Sequence, residues 1–226
     1  MLGQGLRAAS APTITYITNN FQDTGSSSLP TASFTLLGQY PPGLYIVGIA
    51  AENDSLNSYV SNVVFDGTTM TSDVFALVTK TGGGSIVTAI HSYNLTTSTV
   101  SPSITVNFTS LTDRVSTGVW RINKIQSTTR RGTGSDGDNN GSGLPRTLTN
   151  TLTIPGNSVG VSVFCNSYAI DIVWAGATER YNAGGGSRIS ASGAEFNQSI
   201  TSSKTISATT LQPGGQSLAM VSAAWL

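Results

Sequence analysis

The chain has 226 residues, of which 10% are charged, and its eleven basic and eleven acidic side chains cancel. No run of Lys or Arg is longer than Arg130-Arg131, so the basic footprint of a nucleic-acid binder is missing, and no stretch approaches the ~18 apolar residues of a membrane-spanning helix. Cys165 is the single cysteine; it has no partner for an intrachain disulfide, and its place in the apolar run from Val159 predicts a small buried hydrophobe, not a reactive thiol.

Met1 to Pro12 includes Leu2 and Leu6 but no continuous apolar region, and the expectation is a chain without a usual export signal. Residues 1–12 read as an extended N-terminal arm. At ~3.3 Å per residue the arm could reach roughly 40 Å and clamp a neighbouring subunit, with Leu2, Leu6 and Arg7 as the expected partner contacts.

From residue 13 onward apolar side chains recur with period two: Ile14 and Tyr16, then Phe34 and Leu36, then Ile104, Val106 and Phe108. Leu44 to Ala51 is instead continuously apolar, as a strand buried on both sides would be. Past residue 146 the alternation returns in Val159, Val161 and Val163 and in Ile170, Ile172 and Trp174, and the chain closes on the apolar run Leu218 to Leu226. Asp66-Gly67, Gly82-Gly83-Gly84, Pro155-Gly156-Asn157, Gly184-Gly185-Gly186 and Pro213-Gly214-Gly215 supply turns between these segments. No segment carries a helical stripe with caps at both ends. The predicted class is all-β: one antiparallel, jelly-roll-like β-sandwich over residues 13–226.

Two features divide that domain. Pro42-Gly43, a buried run and Val63-Val64-Phe65-Asp66-Gly67-Thr68-Thr69 are echoed by Pro155-Gly156, a buried run and Ile172-Val173-Trp174-Ala175-Gly176-Ala177-Thr178, which suggests two pseudo-repeated halves. Between them, residues 127–146 have no apolar side chain before Leu144 and read as a long flexible loop.

Candidate chemistry is sparse. Asp136-Gly137-Asp138-Asn139-Asn140-Gly141 begins like a calcium loop, with Asp136, Asp138 and Asn140 as the ligands. Thr147 stands where the twelfth-position Glu should be, so a plain turn-rich loop is the simpler reading and no metal or cofactor is expected. His91, the only histidine, falls in the strand pattern Ser85 to Tyr93 and reads as structural. Glu52, Asp54, Glu179 and Glu195 are the only carboxylates suited to a glycosidase pair, and they read as solvated turn charges. Trp120 and Trp225 sit in the most apolar runs and belong to the core, whereas Tyr59, Tyr168 and Tyr181 lie near loops and are the better candidates for a ligand surface.

Val63 to Thr71, then Ile104-Thr105-Val106-Asn107-Phe108, then Val119-Trp120-Arg121-Ile122, followed by a polar loop, the run from Val159 and the terminal Leu218 to Leu226, resemble the β-sandwich proteins of tailed-phage virions. The resemblance implies a non-enzymatic structural protein on the particle surface: capsid decoration, cement, head fibre or tail-associated. It implies other virion proteins as partners, location in the virion and a homo-oligomer, with a trimer suited to capsid geometry. The alternative is a receptor- or glycan-binding module of a tail or fibre, with a host glycan as ligand.

Overall fold

The computed structural model describes residues 10–23, 29–53, 58–80, 83–139, 145–168, 171–184, 189–211 and 217–226. Leu2, Leu6 and Arg7 lie outside them, as do Asp54 and Asn140.

The first half of the chain forms β1 (Thr13–Asp23), β2 (Leu29–Thr35), β3 (Gln39–Tyr40), β4 (Gly43–Asn53), β5 (Val60–Phe65), β6 (Thr68–Thr69), β7 (Thr71–Thr79), β8 (Ser85–Leu95), β9 (Thr99–Val100), β10 (Ser103–Thr112) and β11 (Arg114–Asn123). The second forms β12 (Gly132–Asp138), β13 (Arg146–Ile154), β14 (Ser158–Asn166), β15 (Ile172–Ala175), β16 (Thr178–Gly184), β17 (Ser190–Gln198), β18 (Ser202–Thr210) and β19 (Leu218–Trp225). In each half the first strand pairs with the last, the second with the one before it, and the third main strand with the third main strand from the end, all antiparallel.

The two halves repeat one strand order. An inner sheet β1-β11-β4-β8-β7 and an outer sheet β2-β10-β5-β6 in the first half correspond to β12-β19-β14-β17-β16 and β13-β18-β15 in the second, and β3-β9 is a small separate ribbon. The registers repeat too: Trp120 stands opposite Ile46 as Trp225 stands opposite Val159, and Asn53 opposite Ser85 as Asn166 opposite Ser190. The echo read in the sequence falls on equivalent strands β5 and β15. It is followed in both by a turn residue in the left-handed region, Gly67 at φ 80° and Gly176 at φ 77°, where a Cβ would be strained.

The inner sheets face each other. Leu44, Ile46, Ile90 and Trp120 from one interlock with Val161, Val163, Val221 and Trp225 from the other in a single apolar cluster, while separate clusters fill the space between each inner sheet and its outer partner. The result is a stack of four sheets. Strand β7 packs on β12, β1 on β16 and β4 on β14; because β7 is the counterpart of β16 and β1 of β12, this internal contact is isologous, like a two-fold dimer interface. Backbone approaches closely here: a Cβ on Gly118 would come 2.6 Å from Trp120 Cη2, so any larger residue must displace the ring.

One prediction is corrected. The expected loop at residues 127–146 contains β12, an edge strand paired from Gly132 opposite Ala224 to Asp138 opposite Leu218. Its sequence GTGSDGD has no apolar side chain, so it shows no period-two pattern. The strand is held by its ladder to β19 and by small residues that let neighbours in, with Val78 Cγ2 lying 2.5 Å from where a Cβ on Gly137 would stand.

Candidate functional site

At one end of the seam between the inner sheets lies a cleft of about 470 Å³, within the usual range of ligand pockets. The chain entering β1 (Ala11 to Ile14) forms one wall, Asn157 to Val159 entering β14 a second, and Arg180, Glu195 and Asn197 to Ser199 the rest.

A bulge places the charged pair. Thr178 stands opposite Glu195 and Glu179 opposite Ala194, but Tyr181 is already opposite Gly193, so Arg180 is the extra residue and is free to turn toward Glu195. Arg180 Nη2 donates to Glu195 Oε1, and this hydrogen bond, ahead of the carboxylate's charge, raises the guanidinium pKa. The pairing matters because the Glu195 residue is only 6% exposed, and a buried carboxylate without a partner is costly. Among the described residues Glu195 Oε2 has no hydrogen-bond partner. The same bulge swings Tyr181 inward, where it is 6% exposed and packs 5.9 Å from Trp120 and 6.2 Å from Tyr16. Burial raises its phenol pKa. Tyr181 is therefore core, contrary to its expected place on a ligand surface, whereas Tyr59 and Tyr168 are exposed and Trp120 and Trp225 fully buried, as predicted.

Among the described residues, the predicted carboxylates Glu52 and Glu179 do not converge with this pair. Glu52 and Glu195, expected as solvated turn charges, are both corrected, since both are buried; Glu52 has Lys80 Nζ donating to Oε1 at 2.8 Å and Arg114 Nη1 to Oε2 at 2.9 Å, with Arg114 Nε reaching Asp23 at 3.3 Å. Burial opposes the charge on Arg114, yet the Glu52 bond and the nearby carboxylates outweigh it and leave its pKa raised. This network ties β1, β4 and β11 together. Glu179 accepts from Ser192 Oγ at 3.1 Å on the sheet face opposite to Glu195, so these two cannot flank one bond. The chain matches no known family model and no curated protein.

Lone reactive groups are sealed. Cys165 is fully buried with Sγ 3.8 Å from the Ala51 carbonyl oxygen, and burial pushes its thiol pKa up. His91 is 3% exposed; burial lowers its pKa to about 4, leaving a neutral imidazole at pH 7. The two described acidic residues of the half-calcium motif serve the strand: Asp136 accepts from the Gly137 and Thr149 amides at 2.8 and 3.0 Å, and Asp138 pairs with Arg146. Among the described residues no three His, Cys, Asp or Glu side chains gather as a metal set.

The broad outer faces carry hydroxyls and amides. On β13 and β18, Thr147, Thr149, Thr151 and Thr153 stand opposite Thr209, Ser207, Thr205 and Ser203, with hydroxyls joined at 2.7 Å (Thr147–Thr209) and 3.3 Å (Thr151–Thr205). On the other outer sheet Ser33 Oγ donates to Thr105 Oγ1 at 3.0 Å and Asn107 to Asn62 at 2.6 Å.

Proposed function

We propose that this chain is a non-enzymatic structural protein of a tailed-phage virion, displayed on the particle surface as a capsid decoration, cement or head-fibre component. The observation that carries the reading is the disposition of its polar groups. Buried charges are spent on tying strands together, as in Glu52 with Arg114 and Lys80, while the outer sheets present uncharged hydroxyl ladders. A stack of sheets with neutral outer faces suits a repetitive lattice, where many weak contacts add through avidity. Its partners in this reading are other virion proteins and further copies of itself, and its place is the virion.

The test is location. Gold-labelled antibody against the purified chain should decorate the surface of intact particles at regular positions; particles that carry none of the protein would refute the assignment.

A second reading, a receptor- or glycan-binding module of a tail or fibre, is favoured by Tyr59 and Tyr168, which are 46% and 54% exposed and offer ring faces to a sugar. It predicts binding on an array of host surface glycans, lost when both tyrosines become alanine.

A further inference from the structure

The two halves differ where the edge of the inner sheet meets the edge of the outer one. In the second half β13 runs unbroken to Ile154, and small residues of β12 let it close. A Cβ on Gly132 would stand 2.7 Å from Ile154 Cγ2 and one on Gly134 3.0 Å from Asn150 Cβ, and Asn150 Nδ2 donates to the Gly134 carbonyl at 3.2 Å. Their counterparts in β1 are Thr18 and Asn20. Thr18 stands opposite Val119, next to Trp120, as Gly132 stands opposite Ala224, next to Trp225; Asn20 stands opposite Thr117 as Gly134 opposite Ser222. Each glycine of the closed edge is thus a polar side chain at the other.

The outer strands differ to match. Phe34 and Phe65 flank Ile104 as Leu148 and Trp174 flank Ala208, so Thr35 is the counterpart of Thr149. There β2 ends, whereas β13 continues. The first-half chain turns away through Gly38, at φ 113°, and Gln39 and Tyr40 pair with β9 instead. A second cleft, of about 370 Å³, opens between β1 and the chain from Phe34 to Tyr40, within the range of ligand pockets.

The lining of this cleft is specific. Thr18 and Asn20 share a face with Val119 and Thr117, the face of β11 that turns toward the outer sheet. Phe34 and Tyr40 contribute rings. Tyr40 is held in place: its ring packs edge-on 6.2 Å from Tyr45, and its hydroxyl donates to the Leu37 carbonyl at 3.1 Å. Among the described residues no charged side chain lines the cleft.

We propose that this second cleft binds a neutral saccharide, with Tyr40 as the stacking ring and the Asn20 amide and Thr18 hydroxyl as hydrogen-bonding groups. A lining without charge offers nothing to offset the desolvation of an ion. An amide and hydroxyls beside a ring suit a ligand that is apolar on its face and polar at its edge. An added peptide strand is disfavoured, because Tyr16 stands opposite Trp120 and Thr18 opposite Val119, which makes Ile17 an extra residue, and such a bulge twists a sheet edge away from a new strand. The site goes beyond both functional readings, and neither Tyr59 nor Tyr168 lines it.

The experiment is titration of the full chain with maltotriose, cellotriose and chitotriose, and with sialyllactose as a charged comparison, followed by heteronuclear NMR. At least one neutral probe should bind, with shifts centred on Thr18, Asn20 and Tyr40. Tyr40→Ala should weaken that binding about tenfold and Asn20→Ala about fivefold. Tyr40 packs on the core, so Asn20→Ala, outside the apolar clusters, gives the reading that a folding defect does not confuse. No response to any neutral probe, binding of sialyllactose alone, or binding indifferent to both substitutions would overturn the proposal. Shifts at Tyr59 or Tyr168 with the cleft unmoved would also overturn it while supporting the glycan-binding reading. Location on particles is tested separately and stands or falls independently of this result.

Discussion

Strand β4 of an inner sheet and strand β13 of an outer sheet are both extended, yet they bury their side chains by different rules. In β4 every residue after Gly43 is buried, because a second apolar layer lies on each side. In β13 burial alternates residue by residue from Arg146 to Ile154, because one face meets the core and the other meets water. The layer a strand occupies, more than its intrinsic β-propensity, decides its pattern. The consequence is a gradient of sensitivity across the stack, steepest at the shared seam and flat on the outer hydroxyl faces.

The largest effect is expected at the seam. Trp120→Ala removes a fully buried ring that touches both halves and should cost about 3–5 kcal/mol, read as a fall in the denaturant midpoint. Next comes Glu52→Ala, which leaves Arg114 and Lys80, whose side chains are 9% and 14% exposed, without their shared carboxylate. A loss of about 3 kcal/mol is expected, and a neutral outcome would show that Asp23 alone suffices for Arg114.

The third effect concerns pH. His91 titrates at about 4 in the folded chain against 6.5 as a free group, so between these values the unfolded chain binds the extra proton. Its contribution is whole above about pH 6.5 and is lost as pH falls toward 4, by about 2–3 kcal/mol. Comparing unfolding curves of the parent and His91→Leu at pH 7 and pH 4.5 checks this: the substitution should flatten the pH dependence, and equal slopes would contradict it. Smallest of all, Thr151→Ala on the outer face should change stability by no more than about 0.5 kcal/mol, even though it deletes a hydroxyl contact with Thr205.

The same gradient explains what could be read from the residues. Doubly buried strands announce themselves as continuous runs, as in Leu44 to Ala51 and Leu218 to Trp225, and singly buried ones as alternation, as in Ile104, Val106 and Phe108; the repeat of Val63 to Thr69 at Ile172 to Thr178 marked equivalent strands. Strand β12 was invisible because it contributes backbone and no apolar side chain. The cleft was hidden for another reason. Arg180 meets Glu195, and Tyr181 turns inward, through one extra residue in β16, and nothing in Thr-Glu-Arg-Tyr signals a bulge. Glu52 was misread as a solvated charge because its partners Lys80 and Arg114 are far along the chain and are brought to it only by sheet pairing.

The claim on which the rest depends is that the two halves are joined into one body by the core between the inner sheets. Native-state hydrogen exchange on the full chain, followed strand by strand with increasing denaturant, tests it most directly. Amides of β4 and β14 should open together, with one free energy and one denaturant dependence. Independent opening of the two halves, each with its own smaller free energy, would contradict the account.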